Sequence, residues 1–181
     1  GVEAAGLPQG LRDQPISLDA GVSVSSDAVM LADAALVLGE TRAFGEGSLT
    51  FGQRPGADIV LDVSRLDLDA LLAEAASGGN ATVDEMPPFA LPRDIDVALD
   101  ISIDAAIYRG QALRQAHVIA VLEAGTLAIS QASGQMPGGT DVALAGVVTN
   151  EDGVAVLRGP LEATSDNLRA TLAWLGRFHP R

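Results

Sequence analysis

Residues 94–107 read DIDVALDISIDAAI, a stretch in which apolar and polar side chains alternate. Every odd-numbered position in it is apolar, namely Ile95, Val97, Leu99, Ile101, Ile103, Ala105 and Ile107. Most even-numbered positions are polar, and four of them are aspartates. A period of two is typical of a strand with one buried face, here about 45 Å long at roughly 3.3 Å per residue. The sequence therefore predicts a long, half-buried β-strand.

Similar patterns on both sides of this stretch predict further strands, separated by glycine and proline. The predicted strands are residues 16–24, 29–38, 42–51 and 58–63 before it, and 116–122, 126–130, 140–148 and 154–161 after it. Their short connections and one-sided polarity favour an antiparallel meander over a parallel α/β sheet. The sequence predicts a mainly β fold.

Two segments have the spacing of short amphipathic helices. The first is residues 67–76, with Asp67 as its N-cap. The second is residues 165–176, with Ser165 or Asp166 as its N-cap and Gly176 as its stop signal. In the second helix, Leu168, Leu172 and Leu175 lie on one face, and Trp174 is expected to pack the helix against the end of the sheet.

An internal repeat of about 100 residues relates the two halves, because Gly47 and Gly146 stand at the same offset from Thr41 and Thr140. We expect a first β repeat with its terminal helix at residues 14–76 and a second at 94–178. Residues 77–93 are expected to form a linker or crossover loop. The predicted fold is an open, curved sheet of two such repeats, each made of long antiparallel strands and closed by a short helix.

The apolar face of this sheet has only two short helices to cover it. An open sheet curled into a trough would present a hydrophobic groove to a ligand or partner. Alternatively, the two halves close on each other as a sandwich with a packed core. Composition does not separate these two arrangements.

The charge of the chain argues against two classes of partner. It has 24 acidic residues, 11 arginines, no lysine and a net charge of −13. Nucleic acid and anionic bilayers are therefore not expected to bind it. Because cysteine is absent, disulfides, thiolate zinc sites and cysteine nucleophiles are excluded. No apolar run reaches the roughly 18 to 20 residues of a membrane helix, and the first residue is not Met, so we expect a fragment of a longer protein.

Catalytic machinery is not evident. His117 lies in a strand pattern on the polar parity, and His179 lies near the last residue, neither with a nucleophile at a recognisable spacing. A row of aspartates (Asp94, Asp96, Asp100 and Asp104) suggests a metal site, but neighbours two apart on a strand are about 6 to 7 Å from each other. We interpret the row as a solvated acidic face. The sequence thus predicts no catalytic residue, no metal and no cofactor.

Four turn-and-cap motifs follow one another in the second half: IYRGQAL (107–113), LEAGTL (122–127), MPGGT (136–140) and LRATLAWLG (168–176). In order and spacing they resemble the C-terminal region of AsmA-family proteins. Residues 14–76 resemble the preceding part of that region and end in the similar motif LDLDALL (66–72). The resemblance covers most of the chain.

The resemblance implies a non-enzymatic, periplasmic fragment of a Gram-negative envelope protein whose full-length form is anchored in the inner membrane. AsmA-like proteins and their relative TamB are associated with outer-membrane biogenesis. The family's β-groove resembles that of bridge-like lipid-transfer proteins, so the expected partners are phospholipid acyl chains carried between the two membranes. The candidate groove residues are those of the apolar parity: Ile95, Val97, Leu99, Ile101, Ile103, Val118, Leu122, Val142 and Leu144.

Two other non-enzymatic functions remain open. A scaffold for outer-membrane protein assembly would have exposed strand edges that pair with client strands, and its partners would be assembly components. A structural spacer would need only a dry, packed core. Lipid or client crosslinking distinguishes these functions from lipid transport.

Overall fold

The computed structural model describes residues 16–39, 41–70, 91–151 and 154–176. In this part of the chain, ten strands form one open, curved sheet and a short helix follows near the end. The strands are β1 (Ile16–Val24), β2 (Ala28–Leu38), β3 (Thr41–Thr50), β4 (Gly56–Asp67), β5 (Asp96–Tyr108), β6 (Gln111–Glu123), β7 (Thr126–Met136), β8 (Thr140–Glu151), β9 (Val154–Arg158) and β10 (Leu161–Ser165). The helix is α1 (Leu168–Leu175). The predicted mainly β, open, curved sheet is confirmed.

The strands lie in the sheet in chain order from β1 to β8, and β9 and β10 share the outer edge of β8. The prediction of a single strand at 154–161 is therefore wrong, because Gly159 and Pro160 interrupt it and separate β9 from β10. A Cβ on Gly159 would overlap the carbonyl oxygen of Ala145. Pro160 has no N–H to donate to the hydrogen bonds between strands. Its carbonyl accepts a hydrogen bond from the Ala145 N–H at 3.2 Å.

One pair of strands departs from the predicted antiparallel meander. β4 and β5 are parallel, with Ile59 opposite Leu99, while every other pair in the described sheet is antiparallel. Parallel neighbours need a crossover of a dozen residues or more, and residues 68–95 supply that length. Four strands precede this crossover and six follow it. The division into two repeats with a linker at 77–93 stays a prediction, and residues 77–90 lie outside the described residues.

The two predicted helices begin with different kinds of cap. The Asp67 carboxylate accepts a hydrogen bond from the Ala70 N–H at 2.9 Å, which confirms its predicted capping role. Residues 71–76 of that helix lie outside the described residues. At α1 the cap is Asn167, whose side chain accepts from the Ala170 N–H, so the predictions of Ser165 and Asp166 are wrong. The Ser165 hydroxyl bonds Thr140 across the sheet instead. Gly176 is the C-cap, as predicted.

Helix α1 packs against the sheet through Thr171 and Trp174, both of which are buried. The Trp174 ring meets the Tyr108 ring edge-on, with centroids 6.3 Å apart, which confirms the predicted packing of this tryptophan on the sheet end. The Thr171 hydroxyl donates to the Pro137 carbonyl at 3.0 Å and also contacts the Thr140 hydroxyl. These contacts hold α1 where β7 ends and β8 begins.

The core of the described residues is thin. Its buried apolar side chains are mostly small, and no large side chain is completely buried in the described ranges. The buried apolar residues are Ala43, Ala57, Val63, Ala106, Ala120, Leu122 and Trp174. Substantial contacts between described elements join only neighbouring strands. The described part of the chain is therefore a single layer rather than a sandwich.

Candidate functional site

Strand register assigns each side chain to one face of the sheet, because residues paired across neighbouring strands project to the same side. The predicted β5 residues Val97, Leu99, Ile101 and Ile103 are opposite Ala57, Ile59, Leu61 and Val63 of β4 and opposite Leu122, Ala120, Val118 and Ala116 of β6. All twelve are apolar. We call this side of the sheet the apolar face.

The same face continues outward across every strand. From β4 towards β1, this face carries Leu49, Gly47, Gly45 and Ala43 of β3, Val29, Leu31, Ala34 and Leu36 of β2, and Val24, Val22 and Leu18 of β1. From β6 towards β10, the same face carries Leu127, Ile129 and Ala132 of β7, Val148, Gly146, Leu144 and Val142 of β8, Leu157 of β9, and Leu161 and Ala163 of β10. Beyond Val63, the β4 residues on this face are polar, namely Arg65 and Asp67.

Register places eight of the nine predicted groove residues on this face. The ninth, Ile95, lies one residue before β5 begins. Leu122 is buried and the others are half-buried. The predicted set therefore lies on one surface, although it covers only the middle and one side of the sheet.

A β-bulge keeps the face continuous in β2, where Asp33 has a positive φ of 50°. Leu31 and Leu36 have opposite parity in sequence, yet both lie on the apolar face because the register shifts between Leu31 and Ala34. A second register shift, between Ile129 and Ala132 of β7, acts in the same way. Without these extra residues, part of each strand would project its apolar side chains to the opposite face.

A depression of the apolar face lies over β1 to β4 and has a volume of about 510 Å³. Its wall includes Leu18, Leu31, Leu36, Leu49, Ile59 and Leu61. Gly45 and Gly47 also line it, and a Cβ on Gly45 would overlap the Val60 carbonyl oxygen. None of these residues is among the groove residues predicted from the sequence. The signal that points to them is the alternation in β1 to β4 combined with small residues at Ala43, Gly45 and Gly47.

Comparison with protein-family models, with curated proteins and with solved structures finds no match to this chain.

The opposite face of the sheet, which we call the polar face, carries the aspartates of β5 together with exposed apolar side chains such as Phe44 and Val60, and several of its polar groups pair with one another. The His117 Nε2 lies 2.8 Å from the Asp100 Oδ1, and the Gln131 amide lies 3.4 Å from the other ring nitrogen of His117. At the start of β5, the Arg54 Nε lies 2.9 Å from an Asp96 carboxylate oxygen. The aspartates of β5 thus lie on the polar face. Within the described ranges, no three acidic or histidine side chains group as metal ligands would.

Arg158 and Glu151 pair across the β8–β9 hairpin of this polar face. The guanidinium donates two hydrogen bonds to the carboxylate, one of them at 3.0 Å. This hydrogen bonding, together with the positive charge of Arg158, lowers the pKa of the Glu151 carboxyl from its ordinary value of 4.5. The same contacts raise the pKa of the Arg158 guanidinium.

The described helices do not include a membrane span, since none of them is both long and apolar enough to cross a bilayer. The arrangement as a whole is an amphipathic sheet, apolar on one side and acidic on the other.

Proposed function

We propose that this chain binds phospholipid acyl chains on the apolar face of its sheet, as a periplasmic segment of an AsmA-like protein of outer-membrane biogenesis. In this proposal the chain conducts lipid between the inner and outer membranes and performs no chemical reaction. The observation that carries it is the continuity of the apolar face across all of the strands.

The size of this face suits an acyl chain. Strands in a sheet are about 4.8 Å apart, so the path from β1 to β10 spans about 38 Å. The depression of about 510 Å³ falls within the range of ordinary small-molecule pockets, roughly 300 to 1,000 Å³. A lipid tail gains about 0.8 kcal/mol for each methylene that it buries. The aliphatic part of this face, which ends at Val63 on β4, gives the tail similar contacts at successive positions, so it can slide.

Exposure of large apolar side chains on this face also favours an apolar ligand. Leu18, Val22, Leu31, Leu49 and Ile59 are all substantially exposed in the described structure. Contiguous apolar surface of this kind usually marks a binding site. The acidic opposite face keeps such a sheet soluble while the apolar face is occupied.

The envelope location and the direction between two membranes rest on the motif resemblance alone. The motif IYRGQAL spans the β5–β6 turn, LEAGTL the β6–β7 turn and MPGGT the β7–β8 turn. LRATLAWLG covers α1 and its C-cap. These motifs therefore coincide with the turns and the cap of the sheet.

The test compares two aspartate variants at residues of similar exposure on opposite faces. Ile59 on the apolar face is 38% exposed, and Val121 on the polar face is 42% exposed. Both changes add one negative charge within a strand. The protein is purified without detergent, and bound lipid is measured by native mass spectrometry and by solvent extraction. We expect phospholipid on the wild type and on Val121→Asp, and none on Ile59→Asp.

A third variant, Leu99→Asp, tests the same face on β5, next to Ile59. Lipid on a folded Ile59→Asp or Leu99→Asp protein would contradict the proposal, as would a stably folded wild type that takes up no phospholipid from vesicles. Circular dichroism and thermal melting establish that each variant is folded.

A second candidate function, assembly of outer-membrane proteins, is favoured by the edge of the sheet at β1. This strand pairs with β2 on one side and has no strand on its other side within the described sheet. Such an edge can accept a client strand by β-augmentation. A photo-crosslinker at Ser23, an exposed residue of β1, would capture a client protein under this function and would capture none under lipid conduction. A structural spacer would capture neither lipid nor client.

A further inference from the structure

Helix α1 presents an apolar stripe away from the sheet. Leu168, Leu172 and Leu175 are 56%, 55% and 39% exposed, whereas the residues on the other side of the helix, Thr171 and Trp174, are buried. Positions i, i+4 and i+7 share one face of a helix, so the three leucines form a single ridge. The helix is amphipathic with its apolar side outward, the reverse of a helix that covers a core.

The charge of this segment is opposite to that of the rest of the chain. All 24 acidic residues precede Asn167, and Asp166 is the last of them. From Leu168 onward the sequence carries Arg169, Arg177 and Arg181 and no acidic residue. In α1, Arg169 is exposed and follows Leu168 directly. An exposed leucine ridge beside arginine is the composition of a helix that lies in a bilayer interface.

We propose that α1 docks this sheet onto the surface of an anionic phospholipid membrane. The leucine ridge enters the boundary between headgroups and acyl chains, and Arg169 contacts lipid phosphates. The inference goes beyond the proposed function, because the ridge lies on α1 and not on a strand of the sheet, and its role does not depend on lipid in the sheet. It also modifies the expectation from net charge: the acidic body is repelled by an anionic bilayer, so only this segment approaches it.

A membrane accounts for the ridge better than a second copy of the chain does. Stable protein–protein complexes bury about 800 Å² on each partner, far more than three partly exposed leucines provide. Two copies meeting at this ridge would also bring two strongly acidic bodies together, which costs repulsion. An interfacial helix needs only a shallow apolar contact supported by cationic side chains.

The contacts that hold α1 make the ridge rigid relative to the sheet. Because the Thr171 hydroxyl gives its one proton to the Pro137 carbonyl, it accepts from Thr140, which in turn accepts from Ser165. Trp174 packs on Tyr108 at the same time. The orientation of the sheet on a membrane is therefore determined by α1.

The experiment measures flotation of the full 181-residue chain with vesicles of phosphatidylglycerol and phosphatidylcholine in equal amounts, and with vesicles of phosphatidylcholine alone. We expect binding to the anionic vesicles that weakens as salt is added. Leu172→Glu should reduce this binding at least tenfold. Leu168→Glu should do the same while keeping the helix folded, since an acidic residue in the first helical turn is favourable.

The matched control is Phe51→Glu, a change at an equally exposed apolar residue in the loop between β3 and β4. It should bind as the wild type does. No flotation of the wild type, or equal flotation of all the variants, would overturn the proposal. A wild-type dimer in light scattering that Leu172→Glu converts to a monomer, with no vesicle binding, would also overturn it and assign the ridge to a second copy. Ile59→Asp should float normally, so failure of the lipid-binding face and failure of α1 are distinguishable.

Discussion

The Asp69 carboxylate accepts a hydrogen bond from the Gly110 N–H at 2.8 Å, although the two residues are 41 positions apart in the sequence. Its other oxygen accepts from the Arg109 N–H at 2.6 Å. Arg109 and Gly110 both have positive φ in the β5–β6 turn. One side chain, placed where the crossover leaves β4, thus satisfies the backbone of a turn at the end of β5.

Replacing Asp69 by alanine should therefore destabilise the sheet. Hydrogen bonds to a charged group contribute about 1.5 to 3 kcal/mol, and exposure of this one favours the lower part of that range. We expect the free energy of unfolding to fall by about 1 to 2 kcal/mol in urea denaturation. Asp104→Ala, at an exposed aspartate of β5, is the control and should change it by less than about 0.5 kcal/mol. Equal effects of the two changes would show that the turn does not need Asp69.

Thr171→Val should loosen α1 from the sheet. The change leaves the Pro137 carbonyl and the Thr140 hydroxyl without their partner in a buried position, which costs about 1 to 3 kcal/mol. Trp174 is the one tryptophan of the sequence and is 5% exposed, so its fluorescence reports this contact. We expect a red-shifted emission in the valine variant and wild-type emission in Thr171→Ser. Unchanged, wild-type emission of Trp174 in both Thr171→Val and Thr171→Ser would contradict the role of the hydroxyl.

Gly45→Ala should destabilise β3 and fill part of the depression on the apolar face. The new Cβ would overlap the Val60 carbonyl oxygen and lie 3.2 Å from the Leu61 Cδ1. Overpacking of this kind costs about 1 to 3 kcal/mol. Gly52→Ala is the control, since nothing lies within 4 Å of its Cβ position. Thermal melting should separate the two variants, and lipid retention should fall only in the first. Equal melting temperatures would argue against a close approach of β3 and β4 at Gly45.

Arg158→Gln should raise the pKa of Glu151 towards 4.5, because the hydrogen bonds and the positive charge that lower it are removed. Because the pKa of Glu151 is lower in the folded state than in the unfolded state, its pair with Arg158 stabilises the fold when the carboxyl is ionised. The pair's contribution is complete above pH 4.5, where the unfolded carboxyl is also ionised, and is lost as the pH falls through the lower pKa of the folded state. Carbon-detected NMR titration of Glu151 in both proteins measures the shift. An unchanged midpoint would show that the ion pair does not form in solution.

Much of the candidate site could be predicted from sequence because strand alternation is local. Successive residues of a strand project to opposite sides of the sheet. Alternate residues of β5 therefore lie on one face, as Val97, Leu99, Ile101 and Ile103 do. The depression over β1 to β4 was harder to predict. Leu31 and Leu36 have different parity, and only the bulge at Asp33, whose φ is positive, brings them to the same face.

The direction of each strand and the orientation of α1 required long-range contacts. Nothing within β4 or β5 distinguishes parallel from antiparallel pairing, because their apolar parity is the same in either direction. The leucines of α1 have the spacing of a buried face. However, Thr171 and Trp174 find partners on the sheet at Thr140, Pro137 and Tyr108, so the leucines point outward.

By itself, the sequence determined that this protein is a mainly β chain with one apolar and one acidic strand face, because alternation with period two needs no information beyond neighbouring residues. The tertiary structure decided that β4 and β5 run parallel, that bulges keep the apolar face continuous, and that α1 exposes its leucines. These features depend on residues distant in sequence, such as Asp69 with Gly110 and Thr171 with Thr140. Their hydrogen bonds form only after the strands that carry them have been brought together.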